Sequence, residues 1–315
     1  MESNKPSIRI YVAGHTGMVG SAICRRLARA GYSVIEPTSR VDLCDQQAVL
    51  KLLGKLRPDW VFLAAAKVGG IHANNTYPAQ FIYQNLMIQT NLIHAAYLND
   101  VQKLLFLGSS CIYPRLAPQP MKEEYLLSGY LEPTNEPYSI AKIAGITMCQ
   151  SYGREYGANY ISVMPTNLYG PSDNFDLENS HVIPALLRKT HEAHESGAEF
   201  VEIWGSGNPR REFLHVDDVA DACLFLMENY DSREIINIGS GIEISIRDLS
   251  FLIRDVVGFK RDIRFNSSMP DGMPRKLLDV SRISALGWKP ALSLRQGLES
   301  TYQWFLANQE RLRET

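Results

Sequence analysis

Residues 8–31, "IRIYVAGHTGMVGSAICRRLARAG", run from a β-rich apolar stretch through three glycines into Ala22, Ile23 and Leu27 at helical spacing, and close at Gly31. This pattern predicts a strand, a tight turn and a helix. Gly14, Gly17 and Gly20 stand in a GxxGxxG spacing at the turn, with Met18 and Val19 in the same mouth. Glycine suits that place when backbone must approach a pyrophosphate and the helix must pack hard against the strand. The helix N-terminus then turns free N–H groups and the positive end of its dipole toward phosphate. The same trio can also make an ordinary βα turn. Its position at the head of a βαβ unit favours dinucleotide binding.

Outward from this unit the rhythm repeats. "YSVIE" (32–36), "WVFLAAA" (60–66), "KLLFLG" (103–108) and "YISVMP" (160–165) are short apolar runs separated by helix-like stretches. Near-continuous apolar strands alternating with helices predict an α/β fold: a Rossmann-like doubly wound parallel sheet with a second, smaller substrate-binding domain. Residues 1–168 form the nucleotide-binding part, and from 169 to 315 loops rich in Gly, Pro, Asn and charge mark the substrate region. The chain is expected to return to the sheet at about 212–240, through the amphipathic helix "HVDDVADACLFLMEN" and the strand "IINIG".

At 315 residues and 45% hydrophobic, the chain can bury a large core. Its formal net charge of -2 offers no basic face to nucleic acid or to a membrane surface. The N-terminal stretch has no apolar run of signal-peptide length and no membrane-spanning run occurs, so a cytoplasmic protein is expected. Five cysteines, at 24, 44, 111, 149 and 223, show neither a CxxC pair nor a nearby His cluster. Disulfides and a metal site are not expected.

Two stretches carry reactive side chains. "SSCIYP" (109–114) places Ser109 and Cys111 after an apolar run, and a buried strand has no need of them. On an extended segment, residues two apart point to the same side. "NEPYSIAKIAG" puts Pro137 near a helix start and then Tyr138 and Lys142 at i and i+4, on one face. A nearby ammonium is expected to lower the tyrosine pKa and make it a working proton donor. At the second strand end, "VIEPTSR" offers Glu36 for ribose hydroxyls, the NAD pattern, or Arg40 for a 2′-phosphate, the NADP pattern; Arg40 is favoured.

A nucleotide turn, Ser109 at the end of a later strand and YxxxK about thirty residues on resemble the extended short-chain dehydrogenase/reductases. In that family a Ser/Thr, the Tyr and the Lys form the catalytic triad. The segments "AAAKVGGI", "ANNTYPA", "LGSSCIYP", "EPTNEPYSIAKIAG", "PTNLYGPSDNF", "SHVIPALLRK", "WGSGNPRREFLHVDD" and "PDGMPRKLLD" narrow the resemblance. They are similar to the branch that converts GDP-4-keto-6-deoxy-D-mannose to GDP-L-fucose by C3/C5 epimerisation and NADPH-dependent C4 reduction. The resemblance implies Ser109, Tyr138 and Lys142 as the reductase triad, Cys111 as epimerisation base and His181 as its acid. It implies an NADP(H) site drawing on Leu107, Gly108, Lys142, Pro165, Thr166, Asn167, Leu168 and His181 besides the glycine turn and Arg40. Thr16 stands where the family often has a basic residue, which leaves Arg40 to carry the 2′-phosphate.

The resemblance further implies that Lys189, Trp204, Arg211 and Asp271 contact a GDP-sugar, and that the chain forms a homodimer through the helix of Tyr138. "NPRREF" (Arg210, Arg211), "LLRK" (Arg188, Lys189) and "PRK" (Arg275, Lys276) offer cationic donors for the two phosphates of GDP, with some of these charges expected on the solvated surface and Arg188, Arg210 and Arg275 the weakest candidates. Ala141, Ala144 and Gly145 would permit close helix packing, either between copies or inside one chain. A 4-epimerase or a 4,6-dehydratase of the same fold is the competing reading. The first has no use for a Cys/His pair, and the second carries an Asp-Glu pair that "SSCIYP" lacks. A non-catalytic NADP-binding sensor would have no reason to keep Ser109, Tyr138 and Lys142 together.

Overall fold

The computed structural model describes residues 8–177, 180–269 and 271–309. The first seven residues of the stretch read for a leader, and part of the loop before His181, lie outside the described residues. In chain order the strands are β1 (Ile10–Ala13), β2 (Trp60–Leu63), β3 (Lys103–Leu107), β4 (Asn159–Pro165), β5 (Asn167–Tyr169), β6 (Phe200–Trp204), β7 (Arg210–His215), β8 (Ile236–Ile238), β9 (Glu243–Ser245), β10 (Asp262–Asn266) and β11 (Arg275–Lys276). The helices are α1 (Met18–Arg29), α2 (Gln46–Leu56), α3 (Ile71–Thr76), α4 (Pro78–Leu98), α5 (Glu136–Tyr156), α6 (Val182–Glu195), α7 (Val216–Asn229), α8 (Ile246–Val257), α9 (Ser281–Ala285) and α10 (Leu294–Ala307).

The main sheet has the order β1-β2-β3-β4-β8, and every neighbouring pair in it is parallel. Apolar residues on both strand faces make this layering obligatory. Ile10, Val12, Phe62, Leu105, Ile161 and Val163 point to one side, where α1 and α7 cover them. Tyr11, Ala13, Val61, Leu63, Leu104 and Phe106 point to the other, under α2, α4 and α5. A strand buried on both faces loses water from all of its side chains, which is why its sequence shows a run rather than an alternation.

"YSVIE" does not form a full strand. Val34 makes only an isolated parallel bridge with Ile10, and Ile35 N donates to Ile10 O at 2.8 Å. Ser33 and Glu36 are exposed and Pro37 has no N–H to give, so the ladder cannot propagate at this edge. The bridge still matters. After β1 the chain goes first to Val34 on one side of that strand and then to β2 on the other, and the reversal opens a crevice beyond the C-terminal end of β1.

After β4 the chain builds a smaller assembly. β5, β7 and β11 pair in parallel, β9 joins β7 antiparallel, and β6 pairs with β10. Its core packs Tyr169, Phe175, Leu187, Phe213, Leu249, Ile253, Leu298 and Phe305. β8 and α7, however, belong to the main sheet and its covering layer.

The glycine turn follows β1 directly. Gly14 has a φ of +85, which L side chains rarely adopt, and a Cβ there would lie 2.8 Å from Ala65 backbone. A Cβ on Gly20 would overlap the carbonyl oxygen of Gly14, so α1 can approach β1 this closely only without a side chain. Gly20→Ala is therefore expected to cost about 1–3 kcal/mol by overpacking. It should also weaken dinucleotide binding by about tenfold, or 1.4 kcal/mol. Urea unfolding and calorimetric titration check both, and an unchanged midpoint with unchanged affinity would contradict the packing account.

Candidate functional site

Three main-sheet strands end at one crevice. β1 delivers the glycine turn, β3 the Ser109–Tyr113 segment, and β4 the Thr166–Asn167 segment. At the first, Gly17 caps α1 without any side-chain hydrogen bond, and no acidic residue stands in the first turn. The first-turn N–H groups of Met18 and Val19 are thus presented to an anion by the geometry rather than satisfied internally. Together with the cradle that a Cβ at Gly14 or Gly20 would fill, this fits a dinucleotide pyrophosphate. Glu36 and Arg40 are both exposed near the bridging segment.

The two-apart spacing predicts an extended β3 end, and the structure departs from it. Ser110–Ile112 form a single 3-10 turn, and Ser109 caps it by accepting Cys111 N at 3.2 Å. The cap, not strand alternation, brings Ser109 Oγ and Cys111 together. Ser139, one residue after Tyr138, fixes the turn from outside by donating to Cys111 O at 2.9 Å.

Pro137 in the first turn of α5 starts that helix, and Tyr138 and Lys142 lie one turn apart on it. Lys142 Nζ donates to Leu107 O at 2.7 Å and lies 5.8 Å from the Tyr138 ring centre and 4.9 Å from that of Phe106. Burial holds the Lys142 pKa down at about 7. Contrary to expectation, Tyr138 is shifted up. Burial is the main cause, negative charge on Cys111 adds to it, and a hydrogen bond with Ser109 partly offsets both. An ammonium that is itself desolvated and turned toward a backbone carbonyl cannot dominate the phenol. Tyr138 therefore rests protonated, as a proton donor must.

Cys111 moves the other way. Burial would raise it, but the Lys276 ammonium and hydrogen bonds with Ser109, Lys276 and Asn135 outweigh burial and leave the thiol below its ordinary value. Lys276 Nζ lies 3.4 Å from Cys111 Sγ. The other four thiols are raised chiefly by burial, Cys24 to about 11 and Cys149 to about 12, with Cys44 and Cys223 shifted the same way. Of the five cysteines, Cys111 alone is shifted toward the thiolate.

His181 sits at the N-cap position of α6, but its side chain makes no capping bond. The ring is not spent on capping, and desolvation and the Lys276 charge both lower its pKa. Lys276 and Asn135 are absent from the residues that the sequence singles out for chemistry at carbon; "PRK" reads there as phosphate-binding. The missed signal is strand parity. Arg275 is exposed and pairs with Glu243 at 2.6 Å, so the next residue of β11 faces the pocket.

The expected substrate residues lie along the smaller assembly. Lys189 Nζ stands 6.0 Å from the ring centre of Trp204, which is 65% exposed and so open to stacking. Arg211 is shifted down by burial and its Nη1 donates to Arg210 O at 2.9 Å. The Asp271 carboxylate accepts from Ser206 N at 2.6 Å and Ser206 Oγ at 2.7 Å, so in this state it holds the turn after Trp204. Arg210 and Arg275 both pair with Glu243, and Arg188 with Glu192. Those three, the weakest of the phosphate candidates, are engaged in intramolecular ion pairs.

A buried carboxylate locks these parts together. Glu212, fully buried on β7, accepts Gly241 N at 2.7 Å through Oε1 and Leu278 N at 2.9 Å through Oε2. Its own carbonyl oxygen accepts Asn167 Nδ2 at 2.8 Å.

A family model described as the NAD dependent epimerase/dehydratase family matches residues 10–239. The chain is 58% identical over 316 residues to a GDP-L-fucose synthase from Escherichia coli (strain K12), covering 97% of this chain and 98% of that one. Among solved structures it resembles an NADP-bound GDP-L-fucose synthetase from Naegleria fowleri, with a TM-score of 0.90, 29% identity and coverage of 97% of this chain and 96% of that one. It also resembles a GDP-mannoheptose C4 reductase from Campylobacter jejuni with NADP bound, with a TM-score of 0.88, 40% identity and coverage of 96% and 99%.

Glu212→Gln turns an amide NH2 against one of two backbone donors. The expected loss is about 1–3 kcal/mol, the cost of one unsatisfied buried group, read from the urea midpoint. A midpoint within about 0.5 kcal/mol of the parent, the range of ordinary surface changes, would show that the carboxylate is not the lock.

Proposed function

The chain belongs to the NAD dependent epimerase/dehydratase family, and from that premise we propose that its pocket epimerises C3 and C5 of GDP-4-keto-6-deoxy-D-mannose and then reduces C4, giving GDP-L-fucose. The protein is an NADPH-dependent oxidoreductase with epimerase activity. One observation carries the bifunctional reading: a thiol shifted down by charge and hydrogen bonds shares its pocket with the Ser109–Tyr138–Lys142 set. A bare ketoreductase needs a proton donor at oxygen but no base at carbon.

The carbonyl at C4 acidifies the hydrogens on C3 and C5. Cys111 thiolate takes one of these protons, the C–H electron pair moves into the enolate, and negative charge collects on the C4 oxygen. Ser109 and Tyr138 hold that oxygen by hydrogen bonds. His181 then gives a proton to the opposite face of the carbon, inverting it. Proton exchange with solvent returns Cys111 to thiolate and His181 to imidazolium, and the second centre then follows the same course. When bound at the glycine turn, NADPH supplies the hydride for C4. Tyr138 protonates the resulting alkoxide, and Lys142 positions the phenol and the cofactor ribose. Enolate and alkoxide put charge on the same atom, so one pair of donors serves both stages.

Arg40 meets the cofactor 2′-phosphate, and Pro165, Thr166, Asn167 and Leu168 line the nicotinamide end. Residues 169–315 hold the GDP group, with Lys189 and Arg211 at the diphosphate, Trp204 beside the sugar or base, and Asp271 at the edge of that site. The protein works in the cytoplasm. Among the described residues no helix is long and apolar enough to cross a membrane.

The homodimer forms across α4 and α5, whose outer faces expose Tyr83, Leu98, Ile140 and Tyr156. Ala141 and Gly145 do not supply that contact. Ala141 is fully buried, and a Cβ on Gly145 would overlap Phe106, so both serve packing within one chain.

Cys111→Ser is expected to abolish deuterium exchange at C3 and C5 while NADPH affinity stays within about twofold, a change of roughly 0.4 kcal/mol. Undiminished exchange measured by mass spectrometry would remove Cys111 from the chemistry. Tyr138→Phe should do the converse, with NADPH oxidation falling about a hundredfold or more, in line with loss of a general acid, while exchange persists. The pH dependence of exchange has a definite sign on each limb. The thiolate is lost as pH falls through the lowered Cys111 value, and the imidazolium is lost as pH rises through the lowered His181 value. A bell-shaped profile is expected, and a rate that kept rising with pH would exclude His181 as the acid.

A further inference from the structure

We infer that Lys276 is the positioning residue that keeps the Cys111 sulfur anionic and fixed toward the sugar, a role that rests on the reading of Cys111 as the carbon base. Lys276 Nζ lies 3.4 Å from Cys111 Sγ, within reach of a charge-assisted N–H···S bond. Cys111 and Lys276 come from different parts of the fold, on the 3-10 turn after β3 and on β11 respectively.

The lysine backbone is fixed on both sides. β11 pairs with β7 in a register that sets Lys276 opposite Arg211, and Arg210 N donates to Pro274 O at 2.8 Å just before it. Just after it, Leu277 N donates to Gln119 Oε1 at 2.8 Å and Leu278 N to Glu212 Oε2 at 2.9 Å. A side chain held by so rigid a base loses less freedom on binding sulfur than a surface lysine would.

The other groups around Cys111 do not substitute for it. Arg115 and Glu132 line the same cavity but pair with each other at 3.4 Å, so their fields largely cancel at the sulfur. Asn135 and Ser109 contribute dipoles and no charge. Tyr138 faces the sulfur as a neutral phenol, and Lys142 is turned to Leu107 O. His181 lies within the field of Lys276, which disfavours a second positive charge there. Lys276 therefore acts on both partners of the exchange in complementary ways. It stabilises the base in its charged form, and an imidazolium beside an ammonium is a stronger acid. In each half-exchange the thiolate becomes a thiol as it takes the carbon proton, and the imidazolium becomes imidazole as it returns one. The ammonium gains and loses nothing.

The test is the pH dependence of Cys111 alkylation by iodoacetamide, read at the Cys111 peptide by mass spectrometry on the full chain without substrate. Lys276→Met keeps the length of the side chain and removes its charge. Its alkylation midpoint is expected about one pH unit above that of the parent, with exchange at C3 and C5 near neutral pH falling about tenfold, the change in thiolate fraction that one unit gives. Lys276→Arg should restore the parent midpoint. Thermal unfolding of Lys276→Met within a few degrees of the parent confirms that the fold is kept.

Superposed alkylation profiles for parent and Lys276→Met overturn the inference, whatever happens to turnover. So does a rise in KM for the GDP-sugar with no change in the pH profile, which would make Lys276 a phosphate ligand. A shifted profile combined with undiminished exchange in Cys111→Ser would sustain the electrostatic pairing and remove the function proposed for the thiol.

Discussion

The buried carboxylate of Glu212 is the interaction on which the pocket depends. A carboxylate taken out of water is costly unless every lone pair is met, and here backbone N–H groups of Gly241 and Leu278 meet it from two separate loops. Burial still raises its pKa, with those bonds and further ones with Thr166 and Ser240 working against the rise. Glu212 thereby joins the turn after β8 and the second residue beyond the Lys276 strand through its side chain, and the Thr166–Asn167 segment at the end of β4 through its backbone carbonyl. A hydrophobic contact of the same area could bring these loops near each other. It could not set their register, because only directional bonds distinguish one backbone position from the next.

Asn237, on β8, does similar work a few residues away. Its Nδ2 donates to Met121 O and Asp279 O, both at 3.0 Å, its Oδ1 accepts from Tyr113 Oη at 2.5 Å, and its N–H donates to Glu123 Oε1 at 3.0 Å. The segment leaving Cys111 and the segment leaving Lys276 are thus tied to the same strand. The 3.4 Å separation of sulfur and ammonium is the outcome of two rigid attachments rather than of two flexible side chains finding each other.

How much of this was legible in the sequence follows from range. The parallel sheet was readable because both faces of each strand are buried, and a continuous apolar run is a local signal. The glycine turn was readable for the same reason, since Gly14 and Gly20 answer to contacts within one βαβ unit. "YSVIE" misled because its apolar residues suggested a strand, whereas Pro37 and the exposed Ser33 and Glu36 reduce it to one bridge. Ser109 and Cys111 were paired for a wrong geometric reason, extended alternation, when a helical cap does it. For Lys276 the sequence carried only strand parity, which does not say which of Arg275 and Lys276 faces inward. Nothing local distinguishes it from Arg275, and its orientation is decided by Glu243 and Glu212, more than thirty residues away along the chain.

Burial disfavours the charged forms of Cys111, Tyr138, Lys142 and His181 alike, and its effect prevails at every one but Cys111. It keeps Tyr138 protonated and Lys142 near the point of losing its charge. It makes the imidazolium of His181 a stronger acid. Each of these suits a group that donates protons or positions a partner. A carbon base needs the opposite, and a desolvated thiol would be inert, as Cys149 and Cys223 are. A full charge close to the sulfur can reverse that outcome, because the low dielectric that penalises an isolated thiolate also strengthens its attraction to an ammonium. In the proposed reaction a desolvated pocket and an anionic sulfur are therefore compatible only through the lysine that a distant strand holds 3.4 Å from the cysteine.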